Sequence, residues 1–204
     1  NVELTRAIAE HMGLTVEIVL SPWPEIIRDF ENQTIDIIHG LFYSVARDEQ
    51  INFSQPHTVI NHTIVSRVGD PEYTNLEELA GLEIIVMEED IMHDLAIDFG
   101  YADQLVLAET LEDVLQKLSE GTADCALVAQ IPASFWIEKN KVKNLTVGNS
   151  SVLSPDYCYG TLEANDDLLM LFSEGLAALK STGEYRAIYD RWLGVYEPTE
   201  MNFW

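Results

Sequence analysis

A chain of 204 residues that is 47% apolar and 23% charged, with 11 Gly and 7 Pro, has the proportions of one or two globular domains and excludes a disordered, collagen-like or coiled-coil chain. Its 35 acidic against 11 basic residues give a net charge of −24, so a nucleic-acid partner or docking onto anionic lipid through a basic patch is not expected. The apolar stretches fall well short of the ~18 residues of a bilayer span, no secretory leader is visible, and the first residue is Asn, so the chain is read as a processed or excised piece of a longer one.

Residues 2–12 carry Val2, Leu4, Ile8 and Met12 near helical period and predict a helix. Residues 14–20 (LTVEIVL) predict a strand ended by Ser21 and Pro22. Pro24 suits the first turn of the next helix, with Ile26, Ile27 and Phe30 as its stripe. Residues 35–43 (IDIIHGLFY) have the look of a buried strand running into a loop, and 58–68 form a further β-rich run. Asn75 and Glu78 are spaced as a helix-opening box that Gly81 closes. Strands follow at 82–87, 104–108, 124–129, 145–148 and 156–162. Helices are predicted at 90–99, over LEDVLQKLSEG after a Thr110 cap, from Pro132 to Asn140, from an Asn165 cap to 181, and over EYRAIYDRWLG. Strands alternating with helices point to an α/β fold with parallel sheets. No repeat, low-complexity tract or flexible linker is present, so any two lobes must be joined by strands that pass between them.

Catalytic motifs are mostly missing. There is no GxSxG elbow, GxxxxGK phosphate loop, GxGxxG or HExxH. His57 and His62, five apart on one β-run, face opposite sides and cannot share a metal, so no metal and no cofactor are expected. Cys125 lies in an apolar run and reads as a buried thiol; two cysteines, with Cys158, make no disulfide scaffold or Cys-based zinc site. The sequons at Asn32, Asn61, Asn144 and Asn149 read as chance occurrences.

The informative segment is GLFYSVARDEQINF. Gly40 permits close backbone approach at a strand end; Phe42, Tyr43 and Ser44 follow, then Arg47. An Arg guanidinium is a planar fork that can hold a carboxylate bidentately, against the plainer reading of a surface Arg paired to Asp48 or Glu49. Trp23, between two prolines, is either a stacking platform for a ligand or a core residue. Glu88, Glu89 and Asp90 precede a helix, where carboxylates cap amides and suit the dipole.

The stretch FYSVARDEQINFSQPH resembles the pattern of family-3 extracellular solute-binding domains, roughly G-x-[TF]-x-[ST]-x-x-R and then D/N-F-S-x-P, filled here by Gly40, Phe42, Ser44, Arg47, Asn52, Phe53, Ser54 and Pro56. ENQTIDII, LAGLEIIV, EGTADCALV and GEYRAIYDRWLG are similar to further marks of that family, so the resemblance covers essentially the whole chain. It implies a two-lobe type II periplasmic-binding-protein (Venus-flytrap) α/β fold with parallel or mixed sheets. Residues 1–58 plus 157–204 would form lobe one, 63–149 lobe two, and two hinge strands would lie near 59–62 and 150–156.

The resemblance also implies a non-enzymatic module closing on a small-molecule ligand, an amino acid or another carboxylate. The implied binding residues are Arg47, Trp23, Gly40, Phe42, Tyr43, Ser44, Asp90 and Gln130. Glu89-Asp90 stands where amino-acid binders usually carry Gly-Thr, and Ala129-Gln130 where they carry an Asp, so the usual amino-acid cage is incomplete. FYS before Arg47, EDIMHDL and WLGVYEP are similar to sensor modules of membrane histidine kinases. That implies a periplasmic domain of a bacterial inner-membrane protein, tethered through its C-terminal continuation, with room for a homodimer in the full receptor. The MNFW end reads as the approach to a membrane. Two readings stand beside this one. The first is a free or lipid-anchored binding protein of an ABC transporter; the second is a dehydratase of cyclohexadienyl acids using Glu88 or Glu89.

Overall fold

The computed structural model describes residues 1–196; the MNFW approach lies outside the described residues. In chain order the elements are α1 (Val2–Met12), α2 (Trp23–Glu31), β1 (Ile38–Phe42), α3 (Val45–Asp48), β2 (Asn52–Phe53), β3 (Thr58–Val59), β4 (His62–Arg67), a 3-10 turn (Leu76–Leu79), β5 (Ile84–Met87), α4 (Ile91–Asp98), β6 (Leu105–Ala108), α5 (Leu111–Glu120), β7 (Cys125–Ala129), α6 (Gln130–Asn140), β8 (Leu145–Val147), β9 (Asp156–Thr161), α7 (Asp166–Thr182) and α8 (Glu184–Trp192). Short 3-10 turns also precede β6 and α7 and follow α8. The chain divides into two compact units. One holds Asn1–Val19, Gln33–His57 and Tyr157–Trp204, the other Leu20–Asn32 and Thr58–Asp156. Helix α2 is therefore grouped with the second unit.

In the first unit, β9 lies between β1 and β2 and runs antiparallel to both. The β1 ladder slips between His39 and Leu41, where Gly40 takes φ 102. The core joins Leu4 and Ile8 of α1 to Tyr159 of β9, Phe172, Leu176 and Leu179 of α7, and Ile188 of α8. Gly175 lets α1 lie close on α7, since a Cβ there would stand 2.8 Å from Ile8 Cγ2.

The second unit is a five-stranded sheet in the order β6-β5-β7-β4-β8. Its three strands linked by α4 and α5 are parallel; β4 is antiparallel to β7 and β8. This sheet is thus mixed: β5, β6, β7 and β8 are joined in turn by the crossover helices α4, α5 and α6 and share a direction, and β4 runs against its neighbours β7 and β8. Helix α5 follows from its sequence: Thr110 Oγ1 accepts from Asp113 N at 3.1 Å, Gly121 ends it at φ 86, and Val114, Leu115 and Leu118 are buried. They pack on Val65, Ile85, Ala126 and Val128 of the sheet.

Three sequence expectations are corrected. Residues 14–20 form no strand. Burial does alternate there, with Leu14, Val16 and Ile18 half-buried between exposed neighbours, but a strand also needs a ladder, and none of the described strands pairs with this segment. The box at Asn75 forms, with Glu78 N donating to Asn75 Oδ1 at 3.2 Å, yet it opens only a 3-10 turn. Asn165 holds the position before α7 without capping it; its Nδ2 donates to the Asp36 carbonyl at 3.1 Å instead. Cys125 is fully buried and free, and burial pushes its thiol up to about 12. No helix among the described residues is long and apolar enough to cross a membrane.

The α5 face makes the second unit's core testable. Leu118→Ala removes a fully buried side chain. Urea unfolding of this variant is expected to show a loss of about 2–5 kcal/mol; a loss under ~0.5 kcal/mol, the range of surface changes, would contradict this packing.

Candidate functional site

The Arg47 segment builds its own geometry. Ser44 has extended backbone and its Oγ accepts from Arg47 N at 3.3 Å, capping the single turn α3. That turn folds the chain back so that the Arg47 guanidinium reaches the end of β1, where Nη1 donates to the Phe42 carbonyl at 3.3 Å. Arg47 is half-buried, as are Phe42, Tyr43 and Ser44. The reading of this stretch as a plain loop missed α3.

The two aromatics at the end of β1 are held by rings from β9 and β2. Phe42 stacks at a tilt on Tyr157 of β9, centroids 4.6 Å apart, and Tyr43 meets Phe53 of β2 edge-on at 5.2 Å. The Tyr43 hydroxyl donates to Asp48 Oδ2 at 3.4 Å, and the Asp48 charge, more than burial, raises the phenol above its usual range. Asp48 thus engages Tyr43, a partner the sequence reading did not assign to it. Gly40 is required for close approach: a Cβ would stand 2.3 Å from Tyr157 Oη and 2.5 Å from Asn1 Nδ2. Tyr157, which touches both Phe42 and the Gly40 position, was overlooked in the sequence; its place in a β-rich run opposite the Gly40 strand is the only trace.

The remaining candidates lie in the second unit. Trp23 opens α2, and its Nε1 donates to the Glu89 carbonyl at 2.8 Å. Its indole is half-buried, tied to the β5–α4 loop rather than sunk wholly in a core. Glu89 stands at φ 60, a left-handed conformation uncommon for a non-glycine residue, and its N–H donates to His93 Nδ1 at 3.1 Å. Asp90 sits at the N-cap position of α4 and is 8% exposed. Its carboxylate makes no cap bond; the main-chain carbonyl accepts from Asp94 N at 3.2 Å instead. The expected side-chain cap is therefore not formed, because the left-handed turn at Glu89 and the His93 ring organise this loop. Gln130 begins α6, and its side chain donates to Gly148 O at 3.0 Å, joining the α6 start to the end of β8. Trp23 and the 88–90 loop are brought together; Gln130 has its own partners at Gly148 and Asn61.

Residues 1–195 match the bacterial extracellular solute-binding proteins, family 3. A crystal structure of a histidine kinase sensor domain with similarity to periplasmic binding proteins superposes with a TM-score of 0.91 at 40% identity, over 95% of this chain and 85% of that one. The virulence sensor protein BvgS of Bordetella bronchiseptica is 22% identical over 184 residues; the match takes in 89% of this chain but only 15% of BvgS. The arginine-binding extracellular protein ArtP of Bacillus subtilis is 20% identical over 198 residues, 94% of this chain and 76% of that protein.

The close fit at Gly40 gives a test of the Arg47 segment. Gly40→Ala puts a Cβ on a φ of 102 and against Tyr157. A loss of about 1–3 kcal/mol is expected in chemical unfolding, with altered near-ultraviolet signal from the Phe42–Tyr157 pair. Unchanged stability and spectrum would remove Gly40 from any role in shaping this end of β1.

Proposed function

The chain belongs to the bacterial extracellular solute-binding proteins, family 3, and from that premise we propose that it is the periplasmic ligand-binding domain of an inner-membrane histidine kinase. It binds a small solute bearing a carboxylate, an amino acid or a related acid, and binding biases a two-state element that signals across the membrane. The tether is the C-terminal continuation, and the full receptor works as a homodimer. The domain itself is a binding module rather than a catalyst, in keeping with the solute-binding family it matches. The signalling assignment is supported by the 40% identity to a histidine kinase sensor domain.

The carboxylate assignment is carried by one observation. Arg47 is held half-buried at a strand end by the Phe42 carbonyl and the Ser44-capped turn, in a chain with 11 basic against 35 acidic residues. A guanidinium fork placed in advance forfeits less rotamer freedom on meeting a carboxylate than a mobile lysine would. In the same proposal Gly40, Phe42, Tyr43 and Ser44 shape the first unit's contribution, and Trp23, Asp90 and Gln130 are the ligand-binding residues of the second. A free or lipid-anchored solute-binding protein of an ABC transporter is the second reading, favoured by the 76% of ArtP, an arginine-binding extracellular protein, that the match spans. The coding sequence beyond residue 204 separates the two: a membrane span with kinase motifs, or a stop.

Calorimetric titration with the twenty amino acids and small dicarboxylates tests the clamp. Arg47→Ala is expected to weaken the best carboxylate ligand by about 1.5–3 kcal/mol. Arg47→Lys restores the charge but only part of the affinity. Undiminished binding by Arg47→Ala would remove the clamp from this account.

A further inference from the structure

His57 is the last residue of the first unit before the chain passes to the second at Thr58. It is 4% exposed. Its main chain ties three elements. The N–H donates to the Tyr157 carbonyl of β9 at 3.0 Å, and the carbonyl accepts from the Tyr185 hydroxyl of α8. One residue earlier, the Pro56 carbonyl accepts from Lys180 Nζ of α7 at 3.2 Å, and that ammonium lies 5.4 Å over the Tyr185 ring. The imidazole packs against the rings of Tyr157 and Tyr159, each 5.2 Å away. Its Nε2 is buried with no hydrogen-bond partner among the described residues.

Helix α8 has few anchors. Ile188 is its buried residue, and half-buried Tyr185 packs on the same core. At its far end Glu3 receives Arg191 and Trp192 Nε1; at its near end the Tyr185–His57 contact is the matching attachment. We propose that His57 is a proton-operated catch for α8: the imidazole must be neutral for Tyr185 and the first turn of α8 to stay seated, and acidification releases that end of the helix. This is independent of the solute-binding reading and of what the chain is joined to.

The surroundings carry the physics. A protonated ring would lose its hydration with no acceptor at Nε2 to offset the loss. The groups around it supply no negative charge to offset this: the rings of Tyr157 and Tyr159 from β9, with Lys180 of α7 and His39 of β1 opposing a further cation. Burial first, then those charges, push His57 down to about 3. The sign follows. A ring neutral in the seated form and ordinary in the released form contributes stability in full above about pH 6.5, and that contribution is lost as pH falls from there toward 3. Each pH unit inside that window favours release about tenfold.

Hydrogen exchange of the intact chain, read on peptides covering 184–192 and corrected for intrinsic rates, tests the catch. Between pH 7 and pH 5 the open population of the α8 start is expected to rise about 25-fold, in a range where ordinary carboxylates stay ionised. His57→Gln, neutral at every pH, is expected to abolish the rise, and His62→Gln, altering a buried histidine of the other unit, to keep it. A flat wild-type profile overturns the proposal, as does the same slope in His57→Gln. Should His57→Gln not fold, carbon NMR of labelled histidine in the wild-type chain decides. His57 is expected to stay neutral through pH 5, and a ring that protonates near pH 6.5 with α8 exchange unchanged overturns the catch.

Discussion

The first unit depends on the pairing of β9 with β1 and β2. β1 and β2 are near neighbours in sequence, but β9 enters only after the whole of 58–156 has been made as part of the other unit. Closing so long a loop costs entropy that grows only slowly with length, but it must be recovered by contacts made on arrival. β9 recovers it on both edges and on its face. Ser54 N donates to the Tyr159 carbonyl at 2.9 Å, Tyr159 N donates back to Ser54 Oγ at 3.0 Å, and the Tyr159 ring is fully buried against Phe172. The Tyr159 hydroxyl meets Thr5, which also bonds His39 at 3.0 Å, so α1, β1 and β9 share one polar junction. Burial holds that phenol well above its usual range.

The Arg47 segment inherits its order from this strand. Tyr157, one turn of the pleat before Tyr159, carries Phe42 on its ring and leaves room only for a glycine at position 40. A cation seated by a main-chain carbonyl and a capped turn has its position set by local geometry. That matters in a chain at −24, where a mobile arginine would meet carboxylates on every side. The second unit uses a different device: a left-handed residue at Glu89, fixed by Trp23 from outside and His93 from within.

Much of this was legible in the residues. The α5 helix, with Thr110 before it, Gly121 after it and a leucine stripe between, carries its full specification locally, and so does the run of apolar residues at β7. The Gly40–Pro56 pattern was enough for the family, because its members lie close together in sequence, from the end of β1 through α3 to just past β2. What could not be read was whatever depends on a partner distant in sequence. Residues 14–20 alternate like a strand yet have no described ladder. Asp90 and Asn165 stand where caps are expected, but their loops are organised by His93 and Asp36. The positive φ of Glu89 has no mark in the sequence, since nothing about a glutamate announces it. The mixture of parallel and antiparallel strands depends on β4 inserting between β7 and β8, which nothing in its own residues announces.

The central claim, that this domain holds a small acid through Arg47, is met most directly by native mass spectrometry of the chain purified without unfolding. The account predicts one small-molecule adduct per chain, identified by fragmentation as a carboxylic acid, and its loss in Arg47→Ala under the same purification. An adduct with no acidic group, or one kept at equal occupancy by Arg47→Ala, would contradict it.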